Sequence, residues 1–196
     1  RRASRRFLRG DSARHLHAAL TRLASGRAPA DERPVIALDG NDRHATAFAL
    51  INARWRDDLA HRGHVRVVPP GAVPADVTVH HDFTRPFGSM PLPAEGPCVA
   101  VRTWDFGPYP ARWVDVIARQ YDELWVHTKW IRTQAIRAGV PARRVRLVPL
   151  GCDTALFRPG GPVLRLPTTR RLRFLFLGGA VHRKGIDVLL EAWRLA

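Results

Sequence analysis

From Pro34 onward the apolar positions alternate between two patterns. The first is a set of short continuous runs: Val35-Ile36-Ala37-Leu38, Val65-Arg66-Val67-Val68, Val77-Thr78-Val79-His80, Cys98-Val99-Ala100-Val101, Leu124-Trp125-Val126-His127 and Val145-Arg146-Leu147-Val148. Their length and β-branched content are those of strands. The second is helical spacing. Phe48, Ile51, Trp55 and Leu59 share one face of a helix over 45–62, with Gly63 placed to stop it. Trp113, Val114, Ile117 and Tyr121 do the same over 111–121, and Thr128 is the natural cap of a helix that ends at Gly139. Strands that are apolar at every position are buried on both faces. Alternated with helices, they predict an α/β protein with a doubly wound parallel sheet.

Two further segments flank this pattern. Ser12 to Ala24 reads as a short helix with Leu16, Leu20 and Leu23 on one stripe and Gly26 as its stop. Its polar face carries Arg14 and Arg22, so it is expected to close a preceding domain or to rest on an anionic membrane. Residues 150–170 are rich in Gly, Pro and Arg and read as a linker. Leu172 to Leu177 then predicts a strand, Gly178-Gly179 a tight turn, and Lys184 to Leu195 a helix with Ile186, Leu189, Leu190 and Trp193 inward. One such unit cannot cover its own apolar face, so a second domain is expected to start here. The predicted organisation is a basic N-terminal segment (1–33), a Rossmann-like domain (34–150), a linker (151–170) and the start of a second Rossmann-like domain (171–196).

Composition narrows the function. The net charge is +15, but it is unevenly placed. Residues 34–128 hold nine arginines against eleven acids, whereas 129–184 hold thirteen Lys or Arg against Asp153 alone. A field concentrated in one stretch suits a small anion such as a nucleotide diphosphate better than a long polyanion. A nucleic-acid-binding α/β domain using 129–184 is the competing reading, yet only Trp130 and Gln134 stand among those cations to read bases, and no nucleic-acid partner is expected. No apolar run of 18 residues and no signal peptide occur, and a cytoplasmic, at most membrane-peripheral, location is expected. Cys98 and Cys152 have no metal or redox spacing and are expected to be free thiols. His80-His81, His15/His17 and His61/His64 lack a third ligand at suitable spacing, so no metal is expected and these are read as surface or strand histidines.

Candidate chemistry concentrates in Phe176-Leu177-Gly178-Gly179-Ala180-Val181-His182-Arg183-Lys184-Gly185. A glycine turn leading into a helix presents backbone N–H groups and a positive dipole end to a phosphate, and Arg183 and Lys184 add full charges. Asn41 and Asp42 close the first strand, where open α/β sheets hold ligands or simply turn.

Three segments in order carry a resemblance. Ala138-Gly139-Val140-Pro141 with Arg144-Val145 runs into Val148-Pro149-Leu150-Gly151-Cys152-Asp153 and Phe157-Arg158-Pro159. Lys184-Gly185-Ile186-Asp187-Val188-Leu189-Leu190 follows, and Trp104-Asp105-Phe106-Gly107 with Pro110 and Trp113 precedes both. Together these resemble glycosyltransferase family 4, in a branch with a W-[DE]-F-G signature, over roughly residues 34–196. The resemblance implies a GT-B fold and transfer of a sugar, with retention, from a nucleotide-diphosphate donor to a glycan, lipid or other hydroxyl acceptor, with no cofactor or metal. It implies that Gly178, Gly179, Arg183 and Lys184 meet the donor diphosphate. Relatives carry an Arg where this chain has Gly179, and Arg183 is expected to supply that charge. It places Trp104, with Asn41 and Asp42, on the acceptor side, and leaves Asp105 as the catalytic candidate where relatives have a His. A nucleotide-sugar epimerase or phosphorylase of the same fold is the alternative chemistry. The family's E-x7-E pair does not occur among Glu32, Glu95, Glu123 and Glu191, so the chain is expected to be an inactive fragment of a longer enzyme.

Overall fold

The computed structural model describes residues 9–26, 33–41, 46–62, 66–69, 74–152, 157–161, 167–169 and 171–195, and the side chains of all of these except 9–13, 61 and 62. The chain divides into two compact units, residues 1–158 and 159–196.

In the first unit the apolar runs become β1 (Val35–Asp39), β2 (Arg66–Val68), β3 (Val77–His80), β4 (Cys98–Val101), β5 (Glu123–Val126) and β6 (Val145–Leu147). They form one sheet in the order β2-β1-β3-β4-β5-β6, with every pair parallel. The helices are α1 (Arg9–Ala24), α2 (Ala47–Arg62), α3 (Ala111–Gln120) and α4 (Lys129–Arg137). This is a Rossmann-like α/β fold.

The continuous runs are apolar throughout because each serves two cores by turns. Ile36, Leu38, Val77, Val79, Val99, Val101 and Trp125 point to one face, where Leu16, Leu20, Trp55 and Leu59 cover them. Cys98, Ala100, Leu124, Val126 and Val145 point to the other, under Ile117, Tyr121, Ile131 and Ala135. Thr128 caps α4 as expected, its Oγ1 accepting from Ile131 N at 3.2 Å. Gly26, at φ +81°, follows α1 in the left-handed conformation that a glycine adopts most cheaply.

The charge-based boundary at residue 33 does not divide the structure. The leucines of α1 are buried against this sheet, so the helix closes this domain and not a preceding one, and what it leaves outward is its polar face. An ion-pair knot secures it. Arg22 Nη2 donates to both oxygens of the buried Glu123 carboxylate at 2.7 Å, Arg146 Nε donates at 2.9 Å, and Trp125 Nε1 donates at 3.0 Å.

The second unit departs from the expected βα unit. Leu172–Leu177 pairs with no strand, since a ladder needs a neighbour and the described residues of this unit present none. A 3₁₀ turn, His182–Lys184, precedes α5 (Ile186–Leu195), and Gly185 at φ +69° separates them. Lys184 therefore ends a turn instead of opening the helix. Leu190 and Trp193, expected inward, are 58% and 63% exposed, and no described residue of α5 is buried.

Candidate functional site

The sheet order has a reversal. From β1 the chain steps outward to β2, then returns to place β3 on the other side of β1. The loops leaving β1 and β3 thus part in opposite directions and open a crevice at the carboxyl edge, the usual ligand position of such sheets. The residues that end four of the runs meet there: Asp39, Gly40 and Asn41 at the end of β1, His80 to Asp82 at β3, Arg102 after β4 and His127 after β5.

On the α2 side the network fixes two imidazoles. Asn52 Nδ2 donates to Asn41 O at 2.9 Å and to His81 O at 3.0 Å. Its Oδ1 is left to accept, so the contact of 2.5 Å with His81 Nδ1 is a bond donated by the histidine. His127 Nδ1 likewise donates to Val148 O at 2.9 Å. Each ring then turns a bare Nε2 lone pair inward, and both Nε2 atoms are buried without a partner. The rings stand 5.9 Å apart, with Trp55 stacked on His81 at 5.2 Å. Burial pushes His81 down to about 3, assisted by His127 and Arg102, and lowers His127 against the bond to Val148. Both are neutral hydrogen-bond acceptors.

Gly40 lies at the closest approach in this arrangement. A Cβ there would lie 2.6 Å from His81 O and collide with the Asn52 amide.

The α3 side is ionic and aromatic. Arg85 donates from Nη2 to Asp39 at 2.6 Å and from Nε to Asp82 at 2.7 Å, while Thr84 donates to Asp82 from both its N–H and its hydroxyl. Burial raises the Asp82 carboxyl, but the bonds from Thr84 and Arg85 outweigh it and hold it below the usual range. His80 lies 3.1 Å from the Tyr121 hydroxyl, and its burial, only partly offset by Asp39, lowers it. Cys98, beside His80, is pushed up to about 12 by burial and by Asp122 and Asp39, so it is a packed thiol and not a nucleophile. Arg102 donates from Nη1 to Asp82 O and lies over Phe83, Phe87 and Trp113 at 4.3, 4.9 and 5.1 Å.

Of the residues singled out in the sequence, Asn41 sits in the crevice, its carbonyl held by Asn52, and Asp42 lies outside the described residues. Trp104 packs between Phe106 and Trp113, each 5.1 Å away, with its indole N–H unpaired, and Asp105 is exposed at the loop tip. Gly178, Gly179, Arg183 and Lys184 belong to the second unit. There Gly178, at φ +151°, leaves room for Lys184, whose Cγ is 3.9 Å from where a Cβ would stand.

Asn52, Asp82, Arg85, Arg102 and His127 were not anticipated, whereas His80 is the strand histidine that was expected, ending β3, and His81 follows it, both buried. The available signal was positional: four of the six apolar runs, those of β1, β3, β4 and β5, end on a polar residue at the same edge of the sheet. Among the described residues no group of three or more His, Cys, Asp or Glu is placed to hold a metal ion, and no helix of the described residues is long and apolar enough to cross a membrane. No family model, no curated protein and no solved structure matches this chain.

Proposed function

We propose that the chain carries the acceptor side, and the first donor contacts, of a retaining sugar transferase of the glycosyltransferase family 4 type. The observation that carries this reading is where the family-like segments fall. Trp104-Asp105-Phe106-Gly107 forms the loop at the carboxyl edge after β4, Ala138-Gly139-Val140-Pro141 leads from α4 into β6, and Lys184-Gly185 forms the turn before α5.

The crevice chemistry supports an acceptor built of hydroxyl groups. Asp39 and Arg85 form a fixed ion pair, and the rings of Phe83 and Phe87, each against a second ring, lie on the segment that follows β3. A sugar offers the complementary surface, with hydroxyl donors around apolar ring faces. In this reading the crevice orients the attacking hydroxyl, while Lys184 and Arg183 stabilise the charge that collects on the departing diphosphate. Both are exposed and carry their charge to the surface of the second unit.

A charged contact of this kind contributes about 1.5–3 kcal/mol. Calorimetric titration of the protein with UDP, GDP, ADP and their sugar derivatives is expected to reveal saturable binding of at least one of them. Lys184→Ala should weaken that binding roughly ten- to a hundredfold. Binding that ignores Lys184, or no binding by any of them, would sink the assignment to sugar transfer.

A further inference from the structure

The two helical layers of the first unit carry their charge differently. On the α1–α2 side the charges are engaged: Arg22 grips Glu123, and Arg14, Arg54, Arg56, Asp57 and Asp58 all have partners. From Ala111 to Arg143, on the other side, the chain holds six cations: Arg112, Arg119, Lys129, Arg132, Arg137 and Arg143. None of them bonds a carboxylate among the described residues. Five are exposed, and Arg132 is half-buried. The acids of the same stretch are Asp115, Asp122, which accepts the Cys98 N–H, and the buried Glu123. Arg183 and Lys184 belong to the other unit, so these six are not the cations assigned to a diphosphate.

The two helices that bear them lie side by side. Ile117 of α3 and Ile131 and Ala135 of α4 fill the same core. Gly139, just past α4, has the Val114 side chain 3.7 Å from where a Cβ would stand, and Arg144 Nη1 donates to Ala118 O at 3.2 Å. With Ile131 and Ala135 inward, helical spacing turns Lys129, Thr133 and Arg137 outward, with Trp130 beside them. Two exposed aromatics stand at the carboxyl-edge end of this face. Phe106, 59% exposed, lies in the loop between β4 and α3, and Trp130, 47% exposed, lies in the first turn of α4.

Unpaired cations on one face hold a positive potential that suits a surface of fixed negative charge. A nucleic-acid duplex is negative as well, but a protein held by its phosphates alone has no use for apolar rings standing in water. An anionic bilayer uses both features, since its headgroups meet the charge and its interface accepts aromatic side chains. We propose that the outward face of α3 and α4 docks on an anionic lipid bilayer, with Trp130 and Phe106 at the level of the headgroups. The contact is thus made not by α1, whose Arg22 is committed to Glu123, but by the opposite layer. The inference does not rest on the sugar-transfer reading, although the edge it brings to the lipid is the one at which the crevice opens.

The test uses the whole chain with vesicles of phosphatidylcholine, either alone or with phosphatidylserine added. Co-sedimentation should show binding to the anionic vesicles only, weakened by salt. Each cation near such a surface contributes a factor of about five. Combining Lys129→Gln, Arg132→Gln and Arg137→Gln should therefore weaken binding about a hundredfold. A control with the same charge loss, Arg1→Gln with Arg2→Gln and Arg5→Gln, should weaken it less. Lipids brominated along their acyl chains should quench tryptophan emission, and the quenching should fall in Trp130→Phe, a conservative exchange at an exposed site that keeps the test open if the triple variant fails to fold. No binding to anionic vesicles overturns the proposal. So does equal loss in the two triple variants, quenching that is unchanged in Trp130→Phe, or a DNA duplex that displaces the vesicles from the wild type but is not bound by the α4 variant.

Discussion

Single atoms decide the geometry of the crevice. Gly40 has no side chain because the His81 carbonyl and the Asn52 amide occupy the space one would need. Gly40→Ala is therefore expected to destabilise the protein by about 1–3 kcal/mol, the usual cost of overpacking, and urea unfolding checks it. His81 gives a prediction in pH. Its folded value, about 3, lies below the 6.5 of an unfolded chain, so below pH 6.5 the unfolded state binds a proton that the folded state refuses. Stability is then constant above 6.5 and falls as pH drops from 6.5 towards 3, by up to about 1.4 kcal/mol per unit from this residue. Urea midpoints of the wild type and His81→Phe at pH 7.5 and 4.5 test this: the wild type should lose more. The histidines were visible in the sequence, but their roles were not. His80 and His81 are neighbours in the chain and face opposite sides of the sheet, and the partners that define them, Tyr121, Asn52 and His127, arrive from 29 to 46 residues away or more generally from other elements.

At the scale of elements, the parallel sheet was legible because burial on both faces forces apolar residues at every position of a strand. Leu172–Leu177 shows the limit of that signal. Its composition matches β1 or β4, yet a run of this kind reads identically whether or not a neighbour exists to pair with it, and pairing is a long-range fact. The membership of α1 was hidden for a related reason. Its charge set it apart from 34–128, while its leucine stripe could have covered any apolar surface. Two substitutions test its place. Leu20→Ala should cost about 2–5 kcal/mol if the residue fills the core as described. Glu123→Gln should cost about 1–3 kcal/mol, because it leaves Arg22 and Arg146 half-exposed and able to find water while weakening the bonds they make. Both are read from denaturant midpoints with unchanged m-values.

Across the molecule the two units differ in how they are held. The first is organised around two cores on a six-stranded sheet, whereas the described residues of α5 bury nothing. Native-state hydrogen exchange should accordingly find the amides of β3, β4 and β5 the slowest and those of α5 orders of magnitude faster. Equal protection in both would contradict this division. The lone tertiary ring contact of α5 that is described, Phe174 with Trp193 at 5.8 Å, is too little to change the expectation.

The grip of Arg22 on Glu123 has a practical corollary for anyone trimming this chain. Cutting at the charge boundary, to begin at Pro34, would leave one face of the sheet to Trp55 and Leu59 alone, expose apolar area that Leu16 and Leu20 now cover, and take from the Glu123 carboxylate one of its three partners. Such a shortened product should be recovered from inclusion bodies, and a version that keeps the leading helix should not.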